Sequence, residues 1–70
     1  MELWINGKLE VVQGLAPEKN TISDFLKVQR WRQDGIAVEL NERVVPKKEH
    51  GATRLHPGDK IEVVTLIGGG

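Results

Sequence analysis

The residues of this chain most suited to take part in a reaction are the three glycines at its carboxyl end, Gly68, Gly69 and Gly70. Glycine lacks a Cβ atom, so its backbone is thin and adopts extended or positive-φ conformations with little strain. A tail of this kind can thread a narrow enzyme tunnel that any side chain would block. We therefore expect residues 68–70 to form a flexible tail whose only reactive group is the α-carboxylate of Gly70.

A terminal carboxylate is ionised and unreactive at neutral pH, so it must be activated before a nucleophile can attack it. The usual biological route is an acyl adenylate, made from ATP by a partner enzyme. The chain contains no cysteine, which removes thiolate nucleophiles, disulfides and cysteine-ligated zinc. If the protein handles sulfur, its own side chains cannot carry it. The competing interpretation of the glycines is an inert tail.

Other side chains offer little chemistry. His50 and His56 could be drawn with Asp59 or Glu62 as a metal site, but no recognised ligand spacing supports one. We expect two ordinary surface histidines and no metal. The single serine, Ser23, lies in no nucleophile motif. The sequence predicts a protein that is not an enzyme and that binds no cofactor tightly.

Length and charge narrow the class further. The 70 residues suit one small domain, and the ten basic and ten acidic residues cancel. Nothing in this balance suggests nucleic acid or an anionic membrane as the main partner. No apolar run approaches the roughly 20 residues of a membrane span, and the first residues read as folded sequence and not as a signal peptide. We expect a cytoplasmic protein with one domain over residues 1–67.

The element order predicted from the sequence is two strands, one helix, two strands, an irregular segment and a final strand. Asn6-Gly7 between alternating runs predicts an opening β-hairpin. Thr21 suits a helix N-cap with Asp24 in the first turn, and the helix should end near residues 31–34. The last strand should cover residues 60–67.

This order predicts an α+β fold in which a mixed sheet of four or five strands packs on one helix. The expected core consists of apolar residues at inward positions: Leu3, Ile5, Leu9, Val11, Ile22, Phe25, Leu26, Ile36, Val38, Leu40, Leu55, Ile61 and Val63. Strand parity sends four other apolar side chains to the opposite face of the sheet: Trp4, Ala37, Val64 and Leu66. We expect Trp4 and Val64 to be adjacent there and to form, with the other two, a partner-binding patch.

Several short motifs occur in an order that resembles a known family. They are Asn6-Gly7, Thr21-Ile22, Ala37-Val38 followed by Asn41, Val45-Pro46-Lys47, Leu55 before Gly58-Asp59, and the terminal Gly69-Gly70. Over nearly its whole length the chain resembles the ubiquitin-like β-grasp proteins, and in detail the ThiS family of sulfur carriers in thiamine biosynthesis.

The resemblance implies a reaction cycle at Gly70. A ThiF-type adenylyltransferase would consume ATP to convert the Gly70 carboxylate to an acyl adenylate, and a persulfide donor such as a cysteine desulfurase would lead to a thiocarboxylate. That sulfur would then enter the thiazole ring on a ThiG-type thiazole synthase. The carrier would supply the carboxyl group that is modified, and its partners would supply the catalysis.

Three alternatives stay open at the level of sequence. The small subunit of molybdopterin synthase resembles this fold and also ends in diglycine, although it commonly has prolines shortly before the tail, where this chain has Thr65-Leu66-Ile67. A ubiquitin-like modifier would instead join Gly70 to a lysine of a target protein. A β-grasp interaction module would leave the tail inert.

Overall fold

The computed structural model describes residues 1–66, which form a five-stranded mixed sheet with one α-helix. The elements in chain order are β1 (Glu2–Ile5), β2 (Lys8–Val11), α1 (Ile22–Val28), β3 (Ile36–Leu40), β4 (Arg43–Val45), a short 3₁₀ helix (Lys47–Glu49) and β5 (Lys60–Thr65). The strand order is β2-β1-β5-β3-β4, with β1 and β5 parallel and the other neighbours antiparallel. The predicted α+β class is confirmed. No helix within residues 1–66 has the length and apolar character needed to cross a membrane.

Both hairpins are closed by turns with positive φ at two successive residues, the geometry of a type I′ turn. Asn6 and Gly7 have φ of 50° and 85°, and Asn41 and Glu42 have φ of 52° and 71°. The first turn confirms the Asn-Gly prediction. In the second turn a glutamate occupies a conformation that favours glycine.

The asparagine of each turn also binds the central strand β5. The Val63 N–H donates to Asn6 Oδ1 at 2.9 Å, beyond the point where β1 ends. On the other side, the Lys60 N–H donates to Asn41 Oδ1 at 3.0 Å. The two turns therefore fix β5 from both neighbouring strands.

The helix begins as predicted. The Asp24 N–H donates to the Thr21 hydroxyl, and the Thr21 N–H donates to the Asp24 carboxylate at 3.0 Å, which completes a capping box. The pKa of Asp24 is lowered, mainly by the hydrogen bond from the Thr21 backbone N–H and to a smaller extent by the one from the Thr21 hydroxyl. The Ile22 and Ser23 N–H groups donate to the carbonyls of Thr53 and His50. The donors at this helix end are therefore satisfied within the domain.

The helix ends earlier than predicted, at Val28 and not near residues 31–34. The Arg30 N–H donates to the Lys27 carbonyl and the Trp31 N–H to the Leu26 carbonyl, the bond pair of a Schellman motif. Arg30 takes the left-handed conformation of that motif with φ of 61°. Because glycine usually holds this position, the arginine gave no stop signal in the sequence.

Most of the predicted core is confirmed. Nine predicted residues are buried, namely Leu3, Ile5, Ile22, Phe25, Leu26, Val38, Leu55, Ile61 and Val63. Ile36 and Leu40 are partly buried against this cluster. The assignment of Leu9 and Val11 to the core is wrong, because they are 46% and 63% exposed, and Val12 is buried in their place.

The prediction of two surface histidines is wrong for His50, which is 3% exposed. Its Nε2 atom lies 2.9 Å from the Val45 carbonyl oxygen, and its own carbonyl accepts the Ser23 N–H. His50 thus links the end of β4, through its side chain, to the start of α1, through its backbone carbonyl. Its Nδ1 atom has no hydrogen-bond partner in the described part of the chain.

Candidate partner-binding surface

The sheet face opposite the helix, the outer face, carries an apolar patch beside the end of β5. We call it the β5 patch and define it as Ala37, Val64 and Leu66. Ala37 lies directly opposite Val64 in the β3–β5 pairing. Val64 and Leu66 are 49% and 64% exposed. The Leu66 N–H donates to the Gly35 carbonyl at 2.8 Å, so pairing with the β3 side continues past Thr65.

Trp4 lies on the same face but outside the β5 patch. Register places Trp4 opposite Lys60, four positions before Val64 along β5. At about 3.3 Å per residue this is a separation of about 13 Å along the strand. The expectation that Trp4 and Val64 are adjacent is therefore wrong. Parity had fixed the face correctly but could not fix the register between strands that are distant in sequence.

Trp4 instead belongs to a second apolar patch, the β2 patch, defined as Trp4, Leu9 and Val11. Leu9 lies directly opposite Trp4, and Val11 lies opposite Glu2. Directly opposed residues in an antiparallel pair share a face of the sheet. The two side chains misassigned to the core thus extend the outer face to its β2 edge.

A signal for this arrangement was present in the sequence. The two-residue turn Asn6-Gly7 places Ile5 opposite Lys8, so Lys8 and Glu10 share the inward side of Ile5. Leu9 must then share the side of Trp4. The prediction that Leu9 and Val11 lie in the core followed their hydrophobicity and ignored the register that the turn sets. Val44 of β4, 69% exposed and opposite Glu39, was also missed on the outer face.

Carboxylates separate the two patches. Glu39 of β3 lies directly opposite Glu62 of β5, a like-charge pairing that destabilises a sheet. A cavity of about 390 Å³ opens beside Trp4 and is lined by Trp4, Gly7, Glu42, Lys60, Ile61 and Glu62. The outer face therefore combines apolar patches with charged residues between them, the carboxylates of Glu39 and Glu62 and the ammonium group of Lys60.

Ser23 lies in the first turn of α1, and no group of three or more histidine, aspartate and glutamate side chains within residues 1–66 is placed to hold a metal ion. Asp34 and Lys47 form an exposed ion pair whose hydrogen bond lowers the pKa of Asp34. The predicted reactive residues Gly68, Gly69 and Gly70, and the predicted domain boundary after residue 67, lie outside the described residues.

The family model described as the ThiS family matches residues 3–70. The chain belongs to the ThiS family. Two solved structures with ubiquitin-like β-grasp folds agree with this assignment, both of a thiamine biosynthesis protein (ThiS) from Geobacter metallireducens. The crystal structure is 32% identical with a TM-score of 0.81 and full coverage of both chains. The solution structure is 30% identical with a TM-score of 0.82, covering 100% of this chain and 88% of that one.

Matches to curated proteins are shorter. A thiazole synthase of Paramagnetospirillum magneticum is 46% identical over 35 residues, which are 50% of this ThiS-family chain but only 11% of that protein. An uncharacterised protein, ycf40, of Porphyra purpurea is 32% identical over 53 residues, covering 76% of this chain and 75% of the relative. The ycf40 protein of Pyropia yezoensis is 40% identical over 40 residues, covering 57% of this chain and 56% of the relative.

Proposed function

We propose that this ThiS-family protein is a sulfur carrier for thiazole formation in thiamine biosynthesis, with the sulfur held as a thiocarboxylate on Gly70. One observation carries the proposal: the family match extends from residue 3 through the terminal glycines to residue 70. The absence of cysteine supports it, because no side chain of the protein can hold the sulfur as a thiol or persulfide.

The chemistry proceeds at one carbon atom. A Gly70 carboxylate oxygen attacks the α-phosphorus of ATP on a ThiF-type adenylyltransferase, and pyrophosphate leaves. The terminal sulfur of a persulfide, made by a donor such as a cysteine desulfurase, then attacks the acyl carbon, and AMP leaves. A thiol cleaves the resulting acyl disulfide and releases the thiocarboxylate. Since this protein supplies only the acyl group, it is a co-substrate and not the catalyst.

A thiazole synthase is the proposed acceptor of the sulfur. In the relative named thiazole synthase, a segment similar to half of this chain is part of a much longer polypeptide. Joining two proteins in one chain raises the effective concentration of each for the other, an arrangement that favours partners acting in sequence. This relationship supports a ThiG-type partner for the separate carrier.

The β5 patch is the proposed docking surface for the adenylyltransferase. Leu66 directly precedes residues 67–70, so a partner that covers this patch also receives the segment that carries Gly70. Exposed apolar side chains of this kind act as anchors in protein interfaces, whereas surrounding charges contribute less. Trp4, which lies about 13 Å away along the strand, is proposed as a peripheral contact.

The deciding experiment is intact mass spectrometry after incubation with a ThiF-type adenylyltransferase, ATP, a cysteine desulfurase and cysteine. Exchange of one oxygen for sulfur should raise the mass of the carrier by about 16 Da, and only when ATP is present. Deletion of Gly70 or addition of a residue after it should abolish the gain. A chain extended beyond Gly70 that gains sulfur at the full rate without trimming would overturn the proposal, and a lysine-linked conjugate would instead identify a protein modifier.

Replacement of Gly69 by valine tests whether the glycine tail enters a narrow tunnel of the partner enzyme. The substitution adds a β-branched side chain and should block the mass gain. Gly51→Ala is the matched control, because a Cβ atom built there meets only the Ser23 hydroxyl at an ordinary 3.8 Å. The control should gain sulfur at the wild-type rate. Equal rates for Gly69→Val and wild type would show that the tail does not enter a narrow channel.

A further inference from the structure

The strand β2 forms one edge of the sheet and is exposed along its whole length. It is the first strand in the order β2-β1-β5-β3-β4, and all four of its residues are exposed. Its pairing with β1 is regular, without a bulge, and it contains no proline. Bulges and prolines are common means of preventing edge strands from pairing with other chains, and β2 has neither.

The hydrogen-bond pattern shows which backbone groups face this free edge. Met1 and Val12 exchange both backbone hydrogen bonds, with N···O distances of 3.1 and 2.8 Å. Bonded and non-bonded pairs alternate along an antiparallel ladder, so the backbone groups of Lys8 and Glu10 also point toward β1. The N–H and C=O groups of Leu9 and Val11 therefore point away from the sheet, toward solvent.

These groups limit how β2 can pair with an identical antiparallel strand about a two-fold axis. Leu9 must lie opposite Leu9, or Leu9 opposite Val11, or Val11 opposite Val11. The second register sets Glu10 against Glu10, and the third gives no ion pair within β2. The first register sets Lys8 opposite Glu10 twice, once on each side of the axis.

We propose that β2 pairs with β2 of a second copy of this chain, with Leu9 opposite Leu9 and Lys8 opposite Glu10. The Leu9 side chains then meet on the outer face, and one continuous sheet runs through both copies. Lys8 and Glu10 lie in non-hydrogen-bonded pairs, where opposed side chains approach closely. Inward charges usually protect an edge strand, but here each charge faces its complement.

The opposite edge offers no equivalent arrangement. A two-fold pairing of β4 on Val44 would set Arg43 against Val45, without an opposing carboxylate. The proposed contact is short, and it buries well below the roughly 1,200 Å² of a stable interface. The dimer is therefore weak, with a dissociation constant near the millimolar range. It leaves β5 and the β5 patch of both copies free for other partners.

Charge reversal tests the register. Lys8→Glu and Glu10→Lys alone should each weaken self-association about tenfold or more, because two attractive pairs become repulsive. The double variant Lys8→Glu/Glu10→Lys should restore it. An equimolar mixture of the two single variants should form a heterodimer, since every pair across its axis is then attractive. Lys48→Glu, an exposed lysine on the 3₁₀ helix, is the matched control and should behave as wild type.

The measurements are sedimentation equilibrium and amide hydrogen exchange from micromolar to millimolar protein, with a thermal melt to establish that each variant is folded. The Leu9 and Val11 amides should gain protection as the concentration rises, and high salt should reduce the gain. Concentration-independent exchange at these two amides would overturn the proposal. So would a double variant or a mixture that stays as dissociated as the single variants.

Discussion

On the helix side of the sheet, Leu3, Val38 and Ile61 are at most 1% exposed, whereas on the outer face Trp4 and Val64 are 39% and 49% exposed. Both groups are apolar residues of adjacent strands. Those beneath the helix exclude water and stabilise the fold through burial. Those on the outer face gain little from folding, and we propose that a partner covers them.

The comparison is sharpest between two valines that are neighbours in the chain. Val12 is 3% exposed and Val11 is 63% exposed. They are the same residue type in almost the same sequence context, and they differ only in that adjacent residues of an extended chain point to opposite faces of the sheet. The difference teaches that hydrophobicity alone does not predict burial in the core. The register of the strand determines whether an apolar side chain faces the helix or the outer face.

The largest expected effect is at this pair. Val12→Asp places an unpaired carboxylate in the core and should destabilise the domain by more than about 3 kcal/mol, which is enough to prevent folding. Val11→Asp should change the free energy of unfolding by less than about 0.5 kcal/mol, as an exposed substitution does. Urea unfolding of both variants measures the difference. Equal destabilisation would show that the faces of Val11 and Val12 are assigned wrongly.

A second prediction concerns the β5 patch. Leu66→Asp should weaken binding to a ThiF-type adenylyltransferase about 30-fold, which corresponds to roughly 2 kcal/mol, because it removes an apolar anchor. The melting temperature should barely change, since Leu66 is 64% exposed. Titration calorimetry and a thermal melt decide the matter. Val44→Asp is the matched control, equally exposed but outside the patch, and should bind as wild type does.

Two contrary results would have different meanings. Unfolding of Leu66→Asp would place Leu66 in the core and invert the face assignment of β5. A folded variant with undiminished binding would show that the adenylyltransferase docks elsewhere. The second outcome leaves the sulfur-carrier proposal intact, because the mass measurement at Gly70 tests that separately.

A third prediction uses the turn at the rim of the outer face. Glu42 has φ of 71°, and the corresponding residue of the first turn is Gly7 with φ of 85°. Glu42→Gly should therefore stabilise the domain by about 0.5–1 kcal/mol through relief of left-handed strain. The reverse change, Gly7→Glu, should destabilise it by a similar amount. A destabilised Glu42→Gly variant, measured by urea unfolding, would contradict this interpretation.

The smallest expected effect is a pH dependence on the helix side. The pKa of Asp24 is lowered in the folded protein, so its capping bonds stabilise the fold above the unfolded pKa, about 3.8, and are lost as the pH falls through the folded value. Asp24→Asn should lower the melting temperature at neutral pH, and the difference from wild type should shrink as the pH falls below about 3.8 and through the lowered pKa of folded Asp24. Asp34→Asn is the control, because Asp34 is the other residue whose carboxyl pKa is lowered in the folded protein. A constant difference across this range would exclude the capping carboxylate as the cause.

Much of the fold could be predicted because local signals agreed with the final structure. Asn6-Gly7 specified a turn that only a few dipeptides favour, and Thr21 with Asp24 specified a helix start through bonds between near neighbours. The buried residues of α1 followed from helical spacing. The glycine end and the motif order indicated the family. The roles of Gly68, Gly69 and Gly70 stay predictions.

The errors arose where distant parts of the chain decide the local outcome. His50 is buried because its ring reaches the Val45 carbonyl, a tertiary contact that its polar surroundings in sequence do not announce. Trp4 was placed beside Val64 because parity gives a face without giving the β1–β5 register. The helix end was misplaced because Arg30 adopts a conformation that glycine usually supplies.

The position of β5 also has a consequence for how the protein is made. β5 is the last strand within residues 1–66 yet the central strand of the sheet, paired with both β1 and β3. A nascent chain that lacks it has two hairpins with no strand to join them, and its long-range pairing can form only after residues 60–65 are synthesised. The five-stranded sheet therefore cannot be completed until residues 60–65 have been synthesised, however early the two hairpins form.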